Sequence, residues 1–176
     1  YMIWTNKKNE SVLFLRSVIM YDVFVQAIGF LSMGLSFFIY LQKTRKRVLV
    51  VKLICDSLTI LQMFLLGAYT GMLVLILCIV RGIVFYNSVN HEWARKKFWV
   101  PLFVLISLGT SAISWSGPIS LLPSVGTALA IIGFGSESPT ATRLFNIPGN
   151  GLWGIYHLSV GSLGGFGGSV VAITSA

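Results

Sequence analysis

Seven apolar stretches, each close in length to what a helix needs to cross a lipid hydrocarbon core, constrain this chain more than any other feature. They fall at about residues 20–42, 48–66, 70–89, 98–116, 119–135, 144–160 and 162–176. Lipid offers no partner to backbone N–H and C=O groups, so a spanning chain must satisfy them within helices or a closed barrel. With 55% hydrophobic and only 10% charged residues, the sequence carries more apolar side chain than a water-soluble domain of this size needs. The expected fold class is an all-α integral membrane protein with about seven transmembrane helices.

The stretches also form a weak internal repeat. Residues 20–89 and 117–176 hold three each, and 98–116 lies between them. Val25-Gln26-Ala27-Ile28-Gly29 lines up with Leu122-Pro123-Ser124-Val125-Gly126, and FLLGAYTG (64–71) lines up with LSVGSLGG (158–165). The second register sets Asp56 opposite Asn150. Two three-helix bundles joined by a linker helix (3+1+3) follow from this pattern: a polar or interfacial segment at 1–19, a first half at 20–89, a basic loop and linker helix at 90–116, and a second half at 117–176. Transporters are often built from such repeats, with the binding site near mid-membrane between the halves. The last segment, 162–176, would cover only about 22 Å at ~1.5 Å per residue, so the native chain is expected to continue past Ala176. The stretch Ser11 to Ile19 carries Arg16 in its middle, unlike a cleaved signal peptide. It reads as an interfacial helix or an extension of the first span.

The net charge of +8 is placed by topology. Lys43, Arg45, Lys46, Arg47 and Lys52 flank the first link, and Arg95, Lys96 and Lys97 the third; with alternating spans both lie on one face of the membrane. The positive-inside rule makes that face cytoplasmic and puts the N-terminus outside. Lys7, Lys8 and Arg16 lie on the other face and dissent. These charges read as topology determinants and headgroup contacts, with no nucleic-acid partner. Trp93, Trp99, Trp115, Tyr40, Tyr69 and Tyr86 fall near span ends, as interfacial anchors do. Cys55 and Cys78 sit within spans, with no ligand-spaced neighbours that would make a metal site, and read as packing residues.

Ionisable groups deep in a membrane are costly enough to be functional candidates. Asp56 and Arg81 share a depth of roughly 12 Å from the cytoplasmic boundary, counted at ~1.5 Å per residue. They are candidates for an ion pair that either locks two helices or borders a polar cavity. In the second half Asn150, Trp153 and His157 share one helical face and could offer an amide, a flat ring and an imidazole to a small polar ligand. His157 lies near the outer end, where a hydrogen-bonded interfacial histidine is the expected alternative. Pro123, Pro148 and Gly149 are candidate hinges, since proline removes a backbone donor and crowds the preceding turn; close packing of small residues explains Gly149 equally well. Gly164 to Gly168 is Gly-rich without a following Lys-Ser/Thr, and reads as helix packing. Protease, hydrolase and P-loop motifs are absent, and five acids leave little for acid–base chemistry, so no enzyme and no cofactor are expected.

With LGAYTG (66–71), IVRGIVFY (79–86), LLPSVGT (121–127), Arg143, Trp153, and Tyr156-His157 leading to GSLGG (161–165), the chain resembles the bacterial inner-membrane YgjV family. That family is similar in layout to the SWEET and PQ-loop transporters, whose plan is three-one-three with the N-terminus outside. The Pro-Gln dipeptide is missing; Gln26 and Pro123 hold matching positions, one in each half. Cys78 stands where an asparagine is common, and Ser169 near where an acidic residue is common. The resemblance implies an inner-membrane protein of transporter layout; joined to the deep polar residues above, it makes a transporter or facilitator for a small polar solute the expectation, its site lined by Asp56, Arg81, Asn150 and Trp153. A non-transporting accessory or scaffold subunit of the same fold is the alternative. The expected partners are the lipid bilayer and the solute, with self-association left open.

Overall fold

The computed structural model describes residues 2–41, 45–87, 91–96, 98–135 and 139–175. Lys43, Lys97 and Ala176 lie outside the described residues, as do the side chains of Lys7, Lys8, Tyr40, Arg45, Lys46 and Arg95. Described residues form helix α1 at Met2–Leu41, α2 at Arg45–Leu65, α3 at Tyr69–Asn87, a single turn α4 at Glu92–Arg95, α5 at Trp99–Ile113, α6 at Leu121–Gly135, α7 at Pro139–Ser159 and α8 at Leu163–Thr174. A 3-10 turn, Pro118–Ser120, leads into α6. The polar first residues continue the helix of α1.

Among the described residues, Arg16–Phe38 is the one helical stretch both long and apolar enough to cross a membrane. Tyr69–Val84, Trp99–Ile113, Pro118–Gly133 and Leu163–Thr174 are apolar but shorter. Helix α7 has the length, with 21 residues and roughly 31 Å at ~1.5 Å per residue. It carries Thr142, Arg143, Asn146, Asn150 and His157 along it, and such a helix is tolerated in lipid only if those groups face protein or a wet cavity.

Helices α1, α2 and α3 pack in sequence, as do α6, α7 and α8; α1 also meets α8, α3 meets α6, and α5 packs on both α3 and α6. The seam between α5 and α6 is polar. Ser107 Oγ donates to the Ser124 carbonyl at 2.9 Å, Ser111 Oγ donates to the Ser120 carbonyl at 2.9 Å, and both serines are buried. Small hydroxyl residues let the two backbones approach while each O–H finds a carbonyl. Pro123 is buried in the first turn of α6, where its missing N–H breaks no helical bond.

The α2–α3 and α7–α8 hairpins turn alike. Leu66 N donates to the Gln62 carbonyl, Gly67 N to Phe64 and Ala68 N to Met63; Val160 N donates to Tyr156, Gly161 N to Leu158 and Ser162 N to His157. Both are Schellman closures around a left-handed glycine, Gly67 at φ 69° and Gly161 at φ 75°. The register that pairs FLLGAYTG with LSVGSLGG thus describes two turns of one backbone geometry.

Two glycine pairs set the helix spacing. A Cβ built on Gly164 of α8 would collide with the backbone of Gly29 in α1, and one on Gly126 of α6 would lie 2.7 Å from the Gly149 carbonyl of α7. Helix α7 is continuous through Pro148, which is exposed, and the buried Gly149 beside it packs against Gly126 of α6. Gly82 of α3, by contrast, has nothing within 4 Å of its missing Cβ. Gly164→Ala is expected to destabilise the detergent-solubilised protein by about 1–3 kcal/mol through overpacking, whereas Gly82→Ala gains up to about 1 kcal/mol of helix propensity. Thermal unfolding of the two variants side by side checks the opposite signs.

Candidate functional site

Between the two sets of helices lies a cleft of ≈ 560 Å³, lined by α1, α2, α3, α6, α7 and α8. Its floor is near the two hairpin turns. From there it runs to Lys52, Arg143 and Ser175 at the end of the helices that carries the basic links.

The hairpin end is sealed by bonds that cross between the two sets. The Gln62 side chain of α2, 0% exposed, accepts from Ser162 Oγ at 3.0 Å through Oε1. Tyr156 of α7 lends its hydroxyl oxygen to the Gly71 N–H of α3 at 3.0 Å. Gln26 of α1 donates from Nε2 to the Gly161 carbonyl at 2.5 Å and accepts from Leu163 N at 3.3 Å. Ser162 also caps α8, accepting from Gly165 N. The Tyr156, Gln26 and Ser162–Gly165 contacts each satisfy a backbone group left open by a helix end or turn, as lipid requires.

Along the cleft, hydroxyl side chains mostly donate to backbone carbonyls. Thr59 Oγ1 bonds the Cys55 carbonyl, Ser36 Oγ the Ser32 carbonyl, and Ser169 Oγ the Gly165 carbonyl. Ser32 joins α1 to α2 through the Cys55 carbonyl and Thr59. On α7, Asn146 Nδ2 donates to the Thr142 carbonyl and Asn150 Nδ2 to the Asn146 carbonyl, both at 2.9 Å. A carbonyl can only accept, so the amide nitrogens must point at the helix, leaving each Oδ1 and one N–H for the cleft.

The five sequence-derived site residues all line this cleft. The expected Asp56–Arg81 pair is corrected: Lys52, one turn earlier on α2, holds the Asp56 carboxylate with Nζ at 2.8 and 3.0 Å. A partner four residues away on the same helix needs no approach between helices, which is why it prevails. Lys52 is 45% and Asp56 13% exposed. Arg81 is buried on α3. Trp153 is no lipid-facing anchor: its Nε1 donates to Thr127 Oγ1 of α6 at 3.0 Å. His157 is not the hydrogen-bonded interfacial residue either. It is 6% exposed, its Nδ1 lacks a hydrogen-bond partner, and its ring lies 5.3 Å from that of Trp153. Tyr156 points away from the cleft into a cluster with Met63 and Ala68. Cys55 and Cys78 line the cleft as well.

Sequence reasoning missed Gln62, Gln26 as a latch, and Asn146. Asn146 had a signal, since it precedes Asn150 by one turn on the same face. Gln62 was visible as a lone amide in an apolar run, but its partner lies one hundred residues away.

A family model described as a bacterial inner membrane protein, Imp-YgjV, matches residues 23–175, and the chain belongs to that family of the inner membrane. No curated protein and no solved structure matches the chain.

Tyr156→Phe keeps the apolar ring but strips the Gly71 N–H of its acceptor. A buried donor left unmade costs about 1–3 kcal/mol. The variant should therefore unfold at a lower temperature than wild type, while Tyr69→Phe, at a ring 55% exposed, should leave the midpoint unchanged.

Proposed function

From membership of an inner membrane family and from the shape of the cleft, we propose that this protein is a transporter or facilitator for a small polar solute. It would work by alternating access between two three-helix halves, α1–α3 and α6–α8, joined through α5 in a 3+1+3 plan. The basic end is cytoplasmic and the hairpin end faces outward, with the N-terminus outside. In that orientation the structure is an inward-facing state.

One observation carries the reading. A cleft of ≈ 560 Å³ lies at the interface of the halves and ends at a seal made by bonds between them. Volumes of about 300–1,000 Å³ suit small-molecule ligands. The seal consists of a few hydrogen bonds, each with a net worth of about 0.5–1.5 kcal/mol because water can replace the lost partner. Such a latch opens at modest cost if a solute or the opposite cleft wall compensates. Gly29 of α1 against Gly164 of α8 supplies a smooth contact over which the halves can rock, and Pro148 remains the place where α7 bends most cheaply. Asp56, Arg81, Asn150, Trp153 and His157 form the solute's surroundings. The work asked of them is binding and release, not bond making.

The test uses single cysteines in a Cys55→Ser, Cys78→Ser background. Ser162→Cys probes the seal, since Ser162 is 0% exposed in this state, and Asn150→Cys probes the cleft. An impermeant thiol reagent added outside whole cells should label Ser162→Cys slowly, and Asn150→Cys should react from the cytoplasmic side of inverted vesicles. A folded Ser162→Cys protein that never reacts from outside, beside an Asn150→Cys that reacts only from the cytoplasm, defeats alternating access and favours the scaffold subunit.

A further inference from the structure

We propose that the middle of the cleft takes a flat heteroaromatic solute of the purine or pyrimidine base kind, stacked on Trp153 and hydrogen bonded to His157 and Asn150. This names the solute class for the cleft and rests on the reading of that cleft as a solute site.

Trp153 is a fixed platform. Its one polar atom is committed to Thr127, so the indole has no donor left and can offer a ligand only its ring surface. The His157 ring lies beside it, with centroids 5.3 Å apart and planes tilted by 33°. The two rings lie against one another in an offset, tilted contact, and both line the cleft, so an aromatic surface and an imidazole meet at one place in its wall.

His157 points to a ligand independently of the platform. Neither ring nitrogen has a hydrogen bond among the described residues, although the residue is more than nine-tenths buried. Nδ1 is packed against Gly165, where an added Cβ would strike it. A neutral imidazole has one N–H and one lone pair, and a buried lone pair is tolerated more readily than a buried N–H. The sealed Nδ1 therefore keeps the lone pair and the proton sits on Nε2, the nitrogen left to the cleft. The wall thus holds a donor that the protein leaves without an acceptor.

Asn150, two turns before His157 on the same face of α7, adds a complementary group. With Nδ2 donating to the Asn146 carbonyl, its Oδ1 and second N–H are free for a ligand. Across from these, α8 makes room. Of its four glycines, Gly164 abuts Gly29, Gly165 abuts His157 and Gly167 abuts Met33, but Gly168 lines the cleft with nothing within 4 Å of its missing Cβ. A side chain there would enter the slot.

A ligand for this slot needs an apolar flat face for the indole, an acceptor for His157 Nε2–H and a donor for Asn150 Oδ1. Nucleobases carry all three, with N–H and C=O or ring N alternating around a planar edge. A polyol or an aliphatic amino acid has the polar groups but no face to stack.

The test is saturable binding of radiolabelled adenine and uracil to the purified protein in lipid nanodiscs, with ribose and glycine as controls and thermal unfolding to certify each variant as folded. Wild type should bind at least one base and neither control. Trp153→Leu should weaken binding by roughly 5- to 150-fold, the value of a base–aromatic stack. Gly168→Leu should abolish it and Gly168→Ala retain it. Failure of folded wild type to bind either base, or binding that Trp153→Leu and Gly168→Leu leave unchanged, overturns the proposal. Binding of ribose or glycine that Gly168→Leu blocks rejects the flat-ring class and leaves the transport reading standing. That reading falls separately, on the reactivity of Ser162→Cys.

Discussion

The contact between Gly29 and Gly164 brings the backbones of α1 and α8 closer than any side chain would allow, and much of the molecule depends on that approach. Helices in lipid gain nothing from burying apolar surface against each other, so association relies on close packing and on hydrogen bonds that short distances permit. At this spacing Gln26 reaches the turn at Gly161, and Gln62 reaches Ser162. Gly126 and Gly149 play the same part between α6 and α7. The α1–α8 and α2–α8 contacts near the hairpin turns are thereby drawn together, and the cleft opens toward Lys52 and Arg143.

That space is polar in a particular way. Hydroxyls on membrane helices have few partners except carbonyls of their own or neighbouring turns, and Ser36, Thr59 and Ser169 each donate there. Their oxygens keep lone pairs, so hydroxyls on the α1, α2 and α8 walls act toward the cleft as acceptors. The α7 wall differs, because each asparagine retains both kinds of group and His157 retains Nε2. Neutral groups of both kinds therefore concentrate on one helix, while the α2 and α3 walls carry the charged Lys52, Asp56 and Arg81.

The helical segments were legible in the sequence because length and apolarity are local properties. Among the described residues, α1, α2, α3, α5, α6, α7 and α8 lie where the apolar runs lie, and the FLLGAYTG and LSVGSLGG segments turn alike because a left-handed glycine is visible as a letter. Asp56, Arg81, Asn150, Trp153 and His157 stood out since polar groups within apolar runs are few, and all of them border one cavity. Pairing was harder to read. Shared depth makes Arg81 a candidate partner for Asp56, but depth is set by two helices at once, whereas Lys52 is four residues away and closer by construction. Distance from the span end leaves an interfacial place open to His157, a measure blind to α8 folding over it at Gly165. Gln62 and Ser162 could not be matched at all without knowing how the two hairpins face each other.

The identical closures at Gly67 and Gly161 carry a consequence for biosynthesis. A Schellman turn needs only residues within its own hairpin, so α2–α3 can complete its turn as soon as it leaves the translocon. The α7–α8 hairpin can close the same turn, but Ser162 also needs Gln62, and Tyr156 needs Gly71, both already made and inserted. The earlier hairpin thus offers Gln62 and Gly71 before the later one is made, and the order of synthesis matches the order in which these bonds can close.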